Sequence, residues 1–185
     1  MKKFIFLIFV IILASCHQKQ ENIIEYIEVL YYNTFIIHTE IDVGCDEIVF
    51  DPTKISVTEY TEDGYEIPRD AYIVDTIITD KKVLQEIANE LKLAKKSKDY
   101  GMDARMKCFI KYTDGRIDSL CLLAPPTYGY FNEKPVVFTN RFSYLIRKAC
   151  GYYEWIGIDM LLYHDELNDK TFVREKVRSI SGEEY

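Results

Sequence analysis

Histidine, glycine and proline are scarce in this 185-residue chain, at three, eight and five residues, and tryptophan occurs once. No C-x-x-C or H-x-x-x-H spacing is present, so a tetrahedral zinc site has no local frame. G-x-S-x-G and S-x-x-K are missing, which removes the common serine-nucleophile frames. Neither G-x-G-x-x-G nor a Walker glycine-lysine pattern occurs, leaving no loop built to cradle phosphate. The sequence therefore predicts no metal, no cofactor and no enzymatic activity. Basic residues are outnumbered, 23 against 30 acidic, a formal charge of -7 that disfavours nucleic acid as a partner. Apolar runs are short as well: Phe4 to Ala14 is well below the about 20 residues of a membrane-spanning helix.

That run follows Lys2 and Lys3, the arrangement of a secretory signal. It ends in Leu13-Ala14-Ser15-Cys16, which resembles the lipobox of bacterial lipoproteins. The resemblance implies cleavage before Cys16 and a diacylglycerol on its thiol, with palmitate-type chains as the anchor. Several acyl chains together hold a protein on a bilayer almost permanently. It also implies a signal peptide at 1–15 and a lipidated tether at 16–22, and the length that remains, 23–185, suits a single domain. His17 stands where some Gram-negative bacteria place an inner-membrane retention aspartate. The expected location is thus the cell envelope, at the outer membrane, on its periplasmic face or at the cell surface.

Fifteen tyrosines, ten phenylalanines and 48% hydrophobic residues argue for a folded core. "EYIEVLYYN", "FIIHTEIDV", "DEIVF", "KISVTEY" and "YIVDTIIT" are rich in β-branched and aromatic residues and predict short strands. Asp63-Gly64 predicts a two-residue hairpin, with Pro68 ending its second strand. Thr79 or Asp80 can cap a helix carrying Leu84, Ile87, Ala88 and Leu91. A hairpin turning at Asp114-Gly115 follows, then a strand pair around "YFNEKPVVF" and a helix from Asn140 to Cys150 stopped by Gly151. "EWIGIDMLLY" suits either strand or helix, and "DKTFVREKVRSI" an amphipathic helix through Phe172, Val173, Val177 and Ile180. This order predicts an α+β fold, an antiparallel sheet with β-hairpins packed against two or three helices. The domain loosely resembles the short envelope lipoproteins of Gram-negative bacteria, in which a hairpin like Tyr112 to Arg116 recurs.

Cys45, Cys108, Cys121 and Cys150 remain once Cys16 is assigned to the anchor. With Asp114-Gly115 as a two-residue loop, Lys111 opposes Asp118 and Cys108 opposes Cys121. Such a non-hydrogen-bonded pair sets Cα atoms about 4.5 Å apart, at the short edge of disulfide range. A Cys108–Cys121 bond and two buried thiols both fit this geometry, and a Cys45–Cys150 bond is a further option. His164, Asp165 and Glu166 offer an imidazole beside two carboxylates, suited to proton transfer or a metal, but neighbours in a regular element point apart and the stretch reads as a solvated polar one. Tyr128, Tyr130, Phe131, Tyr153 and Trp155 form the candidate binding face, as rings that either cover the core margin or meet a ligand. The expected function is non-enzymatic: membrane attachment through the lipid, and a protein partner bound as an inhibitor, an immunity-type factor or an assembly factor. The alternative is a glycan stacked on those tyrosines and the tryptophan.

Overall fold

A computed structural model describes residues 23–33, 45–48, 55–60, 66–71, 73–98, 104–123 and 127–185. The strands are β1 (Ile24–Tyr32), β2 (Ile55–Tyr60), β3 (Glu66–Ala71), β4 (Ile73–Ile78), β5 (Lys95–Lys96), β6 (Ala104–Tyr112), β7 (Ile117–Leu123), β8 (Tyr128–Phe131) and β9 (Lys134–Val137). The helices are α1 (Lys81–Leu91), α2 (Asn140–Ala149), α3 (Ile158–Leu161) and α4 (Asp165–Asn168). Seven strands form one antiparallel sheet in the order β4-β1-β6-β7-β8-β9-β5, and β2 and β3 form a separate ribbon. The fold is α+β. No helix among the described residues is long and apolar enough to cross a membrane.

Both long helices start on a side-chain cap that satisfies their first amides. Asp80 Oδ1 accepts from the amides of Lys82 and Val83, each at 2.9 Å, and Thr139 Oγ1 accepts from Phe142 N at 3.0 Å. Leu84 and Ile87 of α1, and Phe142 and Ile146 of α2, enter the main core against Ile27, Val29, Cys108, Ile110, Leu120 and Leu122. Arg141 ties the two helices together by pairing with Glu86 at 3.0 Å and Glu90 at 3.6 Å. Gly151, at φ +76°, stops α2 by taking the left-handed conformation.

The opposite sheet face carries a smaller core of Leu30, Tyr32, Ile48, Ile73, Ala104, Cys121 and Leu123. A 3-10 turn at Cys45–Glu47 covers part of it, held by a disulfide from Cys45 to Cys121 with Cα atoms 6.1 Å apart. That pairing corrects both bonds offered as options, Cys108–Cys121 and Cys45–Cys150, because Cys108 and Cys150 are free thiols buried on the helix side.

The reason lies in the hairpin. Tyr112 N donates to Arg116 O at 2.9 Å and Gly115 N to Tyr112 O at 2.9 Å, so the loop has three residues, with Gly115 at φ +85°. This is the turn plus glycine bulge that three-residue hairpins adopt. One extra loop residue slips the register: Cys108 faces Leu120, and Cys121 faces Lys107. Cys121 consequently points away from Cys108, Ile117 is turned out to solvent and Asp118 is turned in.

Other expectations need adjustment. "DEIVF" begins in the 3-10 turn instead of a strand. Pro68 lies inside β3, opposite Thr58, where a ribbon with an outer edge tolerates its missing N–H. Tyr60 pairs with Glu66, not with the Ile67 that a two-residue loop requires; the Asp63-Gly64 turn, "FIIHTEIDV", His38 and the leader with Cys16 lie outside the described residues. "EWIGIDMLLY" forms a 3-10 turn at Tyr152–Trp155 followed by α3. The expected helix after Asp169 does not form. That tail is irregular, folds back at its end through an Arg178–Glu184 bridge, and latches through Glu175 N to Tyr144 Oη at 3.0 Å and Ile180 N to Ile156 O at 3.0 Å. Its β-branched Thr171, Val173 and Val177 disfavour a helix, and Val173, on the expected apolar face, is 99% exposed.

Candidate functional site

Two polar constellations stand out, one sealed and one open. The sealed one begins on α2, where Arg147 lies on the same inward stripe as Ser143 and Ile146. Arg147 is 2% exposed and Glu166, at the start of α4, is 0% exposed. Arg147 Nη1 donates to Glu166 Oε1 at 2.6 Å, and Tyr153 Oη donates to the same oxygen at 3.0 Å. The Tyr152 ring lies 5.1 Å from the guanidinium, and the His164 ring packs 5.9 Å from Tyr152 and 5.8 Å from Tyr153. His164 Nδ1 donates to Met160 O at 3.1 Å.

Burial alone pushes the Glu166 carboxyl up, but Arg147 and then His164 outweigh it and hold the group below the usual carboxylate range. Burial lowers His164, and the Arg147 charge lowers it further. Tyr153 is raised by burial and by Glu166. Cys150 is pushed up to about 12, chiefly by burial, and Cys108 is raised for the same reason. "YHDE" is therefore not a solvated stretch throughout: His164 and Glu166 are interior groups, whereas Tyr163 and Asp165 face solvent. Acid, base and thiol types meet here, yet each is closed to a substrate. The work of the cluster is to pin α4 and the 3-10 turn to α2.

The open constellation is a cleft of about 1130 Å³ between α1 and the hairpin end of the sheet. Leu84, Ala88 and Leu91 form one wall, and Ile23, Ile24 and Phe131 line the other side. Asp118 sits on the polar side, accepting from Arg116 Nη1 at 2.8 Å and from Asn132 Nδ2 at 2.9 Å. Asn132 is held in turn by Ser119 N, which donates to its Oδ1 at 2.8 Å. The Arg116 guanidinium stacks over the Tyr112 ring at 3.8 Å. Burial, then its hydrogen bond to Asp118, pushes Tyr112 up to about 12. The hairpin slip builds this arrangement by carrying Asp118 inward beside Tyr112.

The five rings expected as a binding face do not share one. Tyr128 and Tyr130 lie with Cys121 on the disulfide side of the sheet, half-buried against the smaller core. Phe131, Tyr153 and Trp155 belong to the helix side; Tyr153 is 2% exposed, and only Phe131 lines the cleft. No open coplanar ring platform results from that placement.

Sequence reasoning missed Arg147 and the roles of Tyr112 and Arg116, read Glu166 as solvated and set Asp118 on the wrong face. Arg147 had a signal, its spacing from Ser143 and Ile146 on the buried face of α2. Asp118 had none independent of the register. Among the described residues no group of histidine, cysteine and carboxylate side chains is placed to hold a metal. The chain matches no family model, no curated protein and no solved structure.

Proposed function

We propose that this chain is a lipid-anchored, non-enzymatic binding protein of a bacterial cell envelope, held by Cys16 and taking its ligand in the cleft beside α1. One observation carries the reading: among the described residues the histidine and carboxylate of the α2–α4 cluster are sealed, whereas the cleft beside α1 is open, with an apolar wall facing fixed polar groups. Ligand sites have that composition, and the cleft exceeds the roughly 300 Å³ lower bound of such sites. A protein partner inserting an apolar side chain fits the same geometry.

Ala88, half-buried on the cleft wall, allows a test. Arginine is a good helix former, so Ala88→Arg fills the cleft with little cost to α1. Binding of an uncharged apolar fluorescent probe such as Nile red to the purified chain should weaken in Ala88→Arg while the melting temperature holds. An unchanged titration would remove the cleft as the binding site.

A further inference from the structure

We infer that the occupant of the cleft is an anionic phospholipid of the bilayer to which the protein is tethered. The inference rests on the lipid-anchor reading above and deepens it. Its first support is distance. Only residues 17–22 separate Cys16 from Ile23, and Ile23 and Ile24 are themselves cleft walls. At about 3.6 Å per residue, seven steps keep the cleft mouth within roughly 25 Å of the acylated cysteine, and so of the membrane surface.

The second support is surface chemistry at that end. Ile23 is 60% exposed, and Ile117, next to the cleft residue Arg116, is 58% exposed. Large apolar side chains left open beside a membrane tether are suited to the acyl-headgroup boundary. From Ile23 the apolar surface continues into the cleft through Ile24, Leu84, Ala88, Leu91 and Phe131, whereas Ile117 stands on the other face of the same sheet end.

The third support is charge. The chain carries a formal -7, yet the cleft is lined by Lys81, Lys92 and Arg116 against Glu25 and Asp118, and Asp118 already pairs with Arg116. Cations beside an apolar slot match a phosphodiester at the end of an acyl chain. A free fatty acid has no phosphodiester, and a sugar has no apolar body.

The test uses the full chain in its own membranes. A benzophenone amino acid is placed at Ala88, and in a second variant at Gln85, an exposed cleft residue where added bulk is tolerated. A third variant carries it at Val173, outside the cleft. Cells are grown in [32P]phosphate and irradiated, and the chain is purified under denaturing conditions. A diacylglyceryl anchor contains no phosphorus, so irradiation-dependent label reports a phosphorus-bearing adduct, and its mass distinguishes a phospholipid from lipid A, which would overturn the proposal. Labelling at Ala88 or Gln85 should exceed that at Val173 several-fold. Labelling no greater than at Val173 would overturn the proposal, as would an adduct with another protein. A phosphorus-free adduct with the chain's own acyl group would also overturn it. Intact mass on the same sample separates the two readings. Acylated chain without label removes the lipid occupant and keeps the anchor, whereas labelled chain without acylation removes the anchor and keeps a lipid-binding cleft.

Discussion

Replacing Glu166 by glutamine should unfold this domain far more readily than its small volume change suggests. Glutamine keeps an oxygen for the Tyr153 hydroxyl but removes the charge opposite Arg147. The two side chains are 3% and 0% exposed and meet at 2.6 Å, so the guanidinium is left buried without a counter-charge. Breaking a buried pair from one side costs about 3–5 kcal/mol. In a domain of this size that corresponds to a melting temperature lower by roughly 6–20 °C. Replacing both charges by apolar groups in Arg147→Met/Glu166→Leu, with Tyr153→Phe to remove the hydroxyl that Glu166 accepts from, should recover most of the loss, since such swaps are often neutral. Trp155, the sole tryptophan, packs against the main core and reports urea unfolding by fluorescence. A loss under about 1 kcal/mol in Glu166→Gln, or a triple variant as unstable as the single, would refute the argument that desolvation of an unpaired charge dominates here.

The same cluster sets a pH response: His164 is held below 6.5 in the folded chain by burial and Arg147, so the unfolded chain takes up its proton first. Stability should therefore fall as pH drops below 6.5, with a slope of at most about 1.4 kcal/mol per unit for one proton, and His164→Phe should flatten that limb in urea titrations. Glu166, held low, contributes at pH above 4.5 and should add a second loss as acidification passes through its folded value. Under denaturing, non-reducing conditions an Ellman assay should count two thiols, Cys108 and Cys150, with Cys45 and Cys121 joined and Cys16 acylated; a third thiol would contradict the acylation. Gly129→Ala should destabilise more than Gly115→Ala. A Cβ at 129 falls 2.1 Å from the Cys121 carbonyl oxygen, whereas one at 115 meets only left-handed strain of about 1 kcal/mol. Equal melting temperatures for the two would count against the β7–β8 register.

Elements that announce themselves by local pattern were readable from sequence. α1 follows from Asp80 and the Leu84, Ile87, Leu91 spacing, and α2 from the Phe142 to Ile146 stripe with Gly151 behind it. β8 and β9 were anticipated around Asn132-Glu133, whose positive φ values of 48° and 64° turn a two-residue loop. The hairpin at Asp114-Gly115 was placed correctly, but two-residue and three-residue loops share the same aspartate-glycine signature. That single residue reversed the faces of Ile117 and Asp118 and misassigned the cysteine partners. Long-range features were not legible: the disulfide closes over 76 residues, and Arg147 and Glu166 pair across 19. A charged residue in isolation reads as solvated, because burial depends on a partner that sequence distance conceals.

The reading of this chain as a lipid-anchored binding protein rests first on Cys16, and the intact mass of the protein purified from its own membranes tests it most directly. The account predicts a chain beginning at Cys16, short of residues 1–15 and heavier than that polypeptide by a diacylglyceryl group, with or without a further acyl chain on the new amine. A chain retaining the leader, or one cut elsewhere and carrying no lipid, would contradict it.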